Sequence, residues 1–365
     1  MAIVGPRQVG KTTLAGQVAS SWKNAVRFDL ESPADLARLD DPMRALEPLR
    51  GLVVLDEIQR LPGVFPILRV LADRPRTPAR FLVLGSASPD LLRQSSETLA
   101  GRIAHQELGG FRVDEVGPRN LSKLWLRGGF PRAYLAGSNA RSLEWREEFI
   151  RTFLERDLPQ LGVRIPARTL RRFWTMMAHY HGQIWNASEL ARALGADYKT
   201  AQRYLDVLTS TFVVRALRPF YANIKKRQVK SPKIYVADSG LLHALLGLPS
   251  KRDIEGHPKV GASWEGFLLE QVCALLGIRP ERAHFWATHT DAELDLVVEH
   301  AGKLHGFEFK RTVAPKLTRS MQTALDTLEL ASLTLVHAGA DTFVLRRGVR
   351  AVSATRLVDD LGPLG

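Results

Sequence analysis

Gly5-Pro-Arg-Gln-Val-Gly10-Lys11-Thr12 follows the spacing G-x-x-x-x-G-K-[ST]. In this pattern glycines let successive backbone N–H groups turn inward around phosphate oxygens, and the start of the next helix adds its own donors. The expected cradle is Gly5, Pro6, Arg7, Gln8, Val9, Gly10, Lys11, Thr12 and Thr13. The Lys11 ammonium would neutralise the β- and γ-phosphates, and the Thr12 hydroxyl would ligate Mg²⁺. Leu52-Val-Val-Leu-Asp56-Glu57 supplies a buried strand that ends in two acids. Asp56 is expected beside Mg²⁺, and Glu57 where it polarises the attacking water. The chemistry implied is ATP binding and hydrolysis with Mg²⁺.

Two further positions extend that site. Phe81-Leu-Val-Leu-Gly85-Ser86-Ala87-Ser88 ends another apolar strand in small polar residues. Ser86 or Ser88 could sense water or the γ-phosphate; Ser88 before Pro89 equally reads as a helix N-cap. Arg102, in Leu99-Ala-Gly-Arg102, is a candidate arginine finger acting in cis or on a neighbouring subunit, with a plain surface arginine as the alternative. Only four residues precede Gly5, so either the chain begins late or base recognition is expected to come from elsewhere.

A second set of acids lies near the other end. Glu293–Val298 and Leu304–Lys310 alternate around the turn residues Glu299 to Gly302 and predict a hairpin. Glu308 and Lys310 share parity, so both side chains leave one sheet face. Asp295 lies on the partner strand, and Glu265 on the helix before. Glu…Asp…Glu-x-Lys resembles the PD-(D/E)xK nuclease pattern, in which Asp295 and Glu308 would hold a metal ion and Lys310 would help activate water. Acids and lysines kept for solubility on an exposed hairpin give the same short pattern.

The middle of the chain carries cations. Asn186-Ala-Ser-Glu189 is a capping box opening a helix through Leu194, and Asp197 caps a second helix to about Leu208. Ala201, Leu205 and Leu208 fall on its inner side, leaving Tyr198, Lys199, Gln202 and Arg203 outward. That is helix-turn-helix spacing, with Val213–Leu217 and Lys233–Val236 as wing strands. Between Asp206 and Asp238 there is no acid, while Arg215, Arg218, Lys225, Lys226, Arg227, Lys230 and Lys233 accumulate around Phe220 and Tyr221. DNA is the partner such a face fits; a solvated face or a protein-binding winged helix fits it too.

The elements that must position these groups fall into blocks. Residues 1–120 alternate short apolar strands (Ala2–Val4, Ala25–Leu30, Gly51–Asp56, Arg80–Gly85) with helices (Lys11–Ser21, Phe65–Ala72), the pattern of a parallel α/β domain. Residues 121–180 are helical, with Trp145, Phe149, Phe153 and Leu154 at three- and four-residue spacings. A winged helix is expected over 181–246, a linker over Gly247–Gly261, and an α/β restriction-endonuclease-like domain over 262–365 that ends with a helix Lys316–Leu330. The 365 residues carry a net charge of +13, which attracts polyanions. The single cysteine, Cys273, excludes an intrachain disulfide, and no apolar run is long enough to span a membrane; a cytoplasmic location is expected.

Taken together, Gly-Pro-Arg-Gln-Val-Gly-Lys-Thr-Thr, Leu-Asp-Glu-Ile-Gln, Leu-Gly-Ser-Ala-Ser and Leu-Ala-Gly-Arg resemble the prokaryotic AAA-type ATPases that carry a C-terminal domain of unknown function. Gly129-Phe-Pro131, Phe153-Leu-Glu-Arg-Asp157, Val236-Ala-Asp-Ser-Gly240-Leu and Trp264-Glu-Gly-Phe extend the resemblance along almost the whole chain. It implies a P-loop ATPase joined to a winged helix and a nuclease-like fold. The expected activity is ATP hydrolysis coupled to DNA binding, with metal-dependent cleavage as a further step and a homo-oligomer as a possible assembly. The alternative is a nucleotide-dependent switch or protein-interaction ATPase whose nuclease-like domain is inactive.

Overall fold

The computed structural model describes residues 1–75, 79–86, 99, 101–221, 229–288 and 292–364. It divides into two compact units, one of Met1–Gly110 with Ser210–Phe212 and one of Phe111–Thr209 with Val213–Gly365.

In the first unit β1 (Ala2–Gly5), β2 (Ala25–Asp29), β3 (Gly51–Asp56), β4 (Ala79–Ser86) and β5 (His105–Glu107) form a parallel sheet in the order β2-β3-β4-β1-β5. Val53, Val54 and Leu55 are fully buried, as parallel strands covered on both faces must be. Ile3, Leu52, Val54, Leu82 and Leu84 pack with Ala15 of the helix Lys11–Ser20. Val4, Val53, Leu55 and Val83 pack instead with Phe65, Leu68 and Leu71 of the helix Val64–Ala72. The crossover order places β4 between β1 and β3, with Ser86 beside Gly5. Three strand ends, at Gly5, Asp56 and Ser86, therefore open on one edge, where ligands of open α/β sheets bind.

The second unit begins with helices, among them Leu121–Arg127, Asn139–Thr152 and Ala167–His179. Trp145, Phe149 and Phe153 stack in sequence, and Phe153 meets Trp174 with ring centroids 5.4 Å apart. Residues Phe153–Asp157 form a π-helical turn with Asp157 fully buried. The strands that follow are β6 (Gln183–Ile184), β7 (Val214–Pro219), β8 (Lys233–Val236), β9 (Ala283–Ala287), β10 (Glu293–His300), β11 (Lys303–Lys310), β12 (Ser332–His337), β13 (Phe343–Arg346) and β14 (Val349–Ser353). They form one nine-stranded sheet in the order β13-β14-β12-β11-β10-β9-β7-β8-β6.

The structure extends one expectation and corrects another. The expected wing strands, β7 and β8, pair antiparallel and also run into the C-terminal sheet, because β7 pairs in parallel with β9 through Arg218 opposite His284. An isolated hairpin would leave the β7 edge unpaired, and β9 supplies its partner. Gly247–Gly261, expected to be a linker, holds the helix Lys251–Glu255, started by a capping box of Ser250 and Asp253 and anchored by the fully buried Ile254. The expected hairpin is present as β10 and β11, turning through Ala301 and Gly302, both with positive φ.

Candidate functional sites

The first site assembles at the strand ends of the N-terminal unit. Gln8 and Gly10 have φ of 63° and 104°, which bends the loop into a concave turn of N–H groups. Gly5 is required there, because a Cβ on it would stand 2.3 Å from the Leu108 carbonyl oxygen. No side chain caps the helix Lys11–Ser20 and no acid lies in its first turn, so its N-terminal donors face the loop without a competing anion. Lys11 is 5% exposed, and its ammonium donates to the Gly5 and Pro6 carbonyls at 2.9 and 2.8 Å. Burial pulls its pKa down to about 8, against the opposing pull of Glu57 and Asp56.

Asp56 collects donors from three directions. Its Oδ2 accepts from the Thr12 hydroxyl at 2.8 Å and from the Arg27 guanidinium at 2.9 Å, and its Oδ1 from the Glu57 N–H at 3.1 Å. Arg27 was not anticipated; the available signal was one cation inside the apolar strand Ala25–Asp29. Glu57 occupies the left-handed region at φ 54° and ψ 47°, a costly conformation for a residue with a side chain. There its carboxylate accepts from Ser86 Oγ at 3.3 Å and from the Gln59 amide. Ser86 thus joins Glu57, while Ser88 lies outside the described residues. Arg7 pairs with Glu31, and Arg102 pairs with Asp73 at 2.6 Å. Val9 is buried, and Thr13 is exposed one residue beyond Thr12.

The second site lies within the C-terminal unit. One step beyond the paired Leu296 and Phe307, Asp295 stands opposite Glu308 on β10 and β11. Asp295 Oδ2 accepts from the Phe309 N–H at 2.9 Å, and Lys310 Nζ meets Glu308 Oε1 at 2.6 Å. Glu265, on the helix Val260–Leu275, accepts from the Tyr235 hydroxyl at 2.6 Å. The four residues singled out in the sequence therefore converge. A fifth group, Lys233 of the acid-free basic stretch, joins them and is only 4% exposed. Its ammonium pairs with Glu265 at 2.7 Å, Asp295 at 3.5 Å and also Glu293. Every residue of β8 is buried, so strand alternation gives no sign of it.

Burial drives the titration of this cluster. Glu265 is pushed up to about 7 and Glu308 to about 8, first by burial and then by the Asp295 charge. Burial acts to lower Lys233, yet its acidic surroundings hold it well above the usual lysine value. Among the described residues, no group of three or more His, Cys, Asp or Glu side chains is arranged to hold a metal ion.

Sequence comparison matches residues 1–117 to an AAA domain, 118–252 to a domain of unknown function (DUF8612) and 260–357 to another (DUF4143). Uncharacterized proteins of Mycobacterium bovis and Mycobacterium tuberculosis are each 55% identical over 356 residues, covering 98% of this chain and 80% of theirs. The chain belongs to their family. Among solved structures, a Bacillus subtilis DNA clamp loader delta protein is 13% identical over 57% of this chain and 83% of its own, with a TM-score of 0.23. A Vibrio cholerae protein is 13% identical over 98% and 95%, with a TM-score of 0.21. Likenesses this low establish neither fold nor function.

Of the cations between Asp206 and Asp238, Arg215 and Lys233 are already paired. Arg215 forms a bidentate pair with Glu270, and Phe220 packs half-buried against His284. Gln202, expected outward, bridges the Trp185 indole and Asp206. Lys199, Arg203 and Lys230 are exposed. Lys225, Lys226 and Arg227 lie outside the described residues.

Among the described residues, no helix is long and apolar enough to cross a membrane.

Proposed function

We propose that this protein is a Mg²⁺-dependent ATPase whose C-terminal half binds DNA. The observation that carries the ATPase reading is the 2.8 Å contact between Thr12 and Asp56, which brings the two hard oxygen donors of the loop and the strand end to one point. Thr12 and Asp56 would hold Mg²⁺, which when bound would offset charge on the phosphate oxygens. Lys11 would exchange its bonds to the Gly5 and Pro6 carbonyls for the β- and γ-phosphates. The backbone donors from Gly5 to Thr13 would orient the chain of phosphates. Glu57 would take the proton of the attacking water, with Ser86 holding its carboxylate in place. Arg102 is the candidate arginine finger.

DNA binding rests on the net charge of +13 and on the exposed Lys199 and Arg203 of the helix Tyr198–Ser210, in a winged-helix reading of the helices and strands around it. Asp295, Glu308, Lys310 and Glu265 fit a nuclease-like fold. Lys233 favours a second reading, in which that fold is inactive and ATP gates an interaction. A lysine ammonium already neutralises the acids a cation would need. Phosphate release measured with and without duplex DNA, with Mn²⁺-dependent cleavage followed in parallel, tests both. DNA-stimulated turnover supports the first reading; nucleotide binding with negligible turnover supports the switch.

A further inference from the structure

A cleft of about 360 Å³ in the C-terminal unit belongs to neither site, and Arg119, Lys251, Arg311, Trp125, Trp264 and Thr355 contribute to its walls. Its volume lies in the range of small-molecule pockets. Three of the lining residues are cations, and no acid lines it among the described residues. The Arg311 guanidinium lies over both indoles, 5.0 Å from the Trp125 ring centroid and 4.9 Å from that of Trp264, and is steadied by its pair with Glu255.

The wall also contains donors without acceptors. Trp125 satisfies its indole N–H with the Ser263 hydroxyl at 3.0 Å. Trp264, only 4% exposed, has no partner for its Nε1, and neither does Arg311 for its Nε. Both atoms are shut off from solvent by their neighbours, so the charge open to a ligand is that of the cations lining the cleft. Arg119 and Lys251 are exposed and add charge for an anion without closing the cleft. The rest of the lining is largely apolar, which suits a ligand with a body as well as a head.

The geometry points to a binding site for a small organic phosphate, of nucleoside-monophosphate size, separate from the ATP site. Its phosphate takes the exposed Arg119 and Lys251 cations beside Arg311, and its body fills the apolar part of the cleft. This assignment does not depend on the ATPase reading.

Calorimetric titration of the full chain with AMP and with phenyl phosphate tests it, with adenosine and inorganic phosphate as the body-only and head-only arms. At least one organic phosphate is expected to bind tenfold or more tightly than either arm. Arg119→Glu with Lys251→Glu, both at exposed positions, should weaken it by tenfold or more. Lys11→Ala should leave it unchanged. Binding lost in Lys11→Ala, binding indifferent to the Arg119 and Lys251 changes, equal binding of inorganic phosphate, or no binding of either organic phosphate would each overturn the assignment.

Discussion

At the scale of single residues, the nucleotide site depends on which group touches which atom. Lys11 is the buried ammonium of the loop, so Lys11→Ala should lower ATP turnover by about a hundredfold or more. Glu57→Gln keeps the shape and loses the base. It should retain nucleotide binding while kcat falls roughly 10²–10⁴-fold. Ser86→Ala removes the hydroxyl 3.3 Å from both Glu57 oxygens and should lower kcat by about tenfold with binding unchanged. Fluorescent-nucleotide binding and phosphate release separate the three. Native turnover in Glu57→Gln would show that Glu57 is not the base. The loop and acid positions were legible because their spacing is dictated by a phosphate chain and one cation. Arg27 and Lys233 were not, because each reaches its acid across strands whose order the sequence does not state.

At the scale of elements, strands and helices with strong periodicity or caps were readable, as with Gly51–Asp56, the helix Ala187–Leu194 and the β10–β11 hairpin. The joining of β7 to β9 was not, since a parallel pair between distant segments leaves no local mark. Two short motifs that had no assigned role meet in the fold. Asp238 caps the helix Ser239–Leu245 through the Leu241 N–H at 2.8 Å and also accepts from the Gly129 N–H at 2.7 Å. Gly128 permits this, because a Cβ there would stand 2.1 Å from Asp238 Oδ1. Asp238→Ala leaves both donors without a partner and should cost roughly 2–3 kcal/mol of stability in urea denaturation, with Asp238→Asn costing clearly less. An Ala variant as stable as the parent would show that the cap contributes nothing. On the outward face of Tyr198–Ser210, changing Lys199 and Arg203 to Ala should weaken DNA binding at every sequence. It should also flatten the salt dependence by up to about 2 units of slope. Unchanged affinity across a salt series would assign that face to protein partners.

At the scale of the whole molecule, two sets of buried titratable groups pull stability in opposite directions with pH. His181 and His243 are pushed down to about 3 from 6.5 by burial. His181 Nδ1 accepts from the Val236 N–H, a bond that protonation breaks, and burial outweighs the carbonyls of Ala262 and Leu126, which favour the charged rings of His181 and His243. Between about pH 3 and 6.5 the unfolded chain binds more protons at these sites, and stability falls as pH drops. Glu265 and Glu308 are pushed up from 4.5 to about 7 and about 8. From pH 4.5 up to those values the folded chain holds more protons, so their contribution is lost as pH rises. The two effects oppose each other between about pH 4.5 and 6.5. Above 6.5 only the carboxyls act, and below 4.5 only the histidines. Urea midpoints should therefore peak between about pH 4.5 and 6.5 and fall on both sides. Tryptophan fluorescence reports chiefly on the C-terminal unit, because Trp22 alone of the seven tryptophans lies in the other. Glu308→Gln, which stays neutral, should raise the midpoint at pH 8 relative to the parent and flatten the alkaline limb. A midpoint that climbs steadily to pH 8 would mean instead that Lys233 and Lys310 keep both carboxyls ionised at neutral pH.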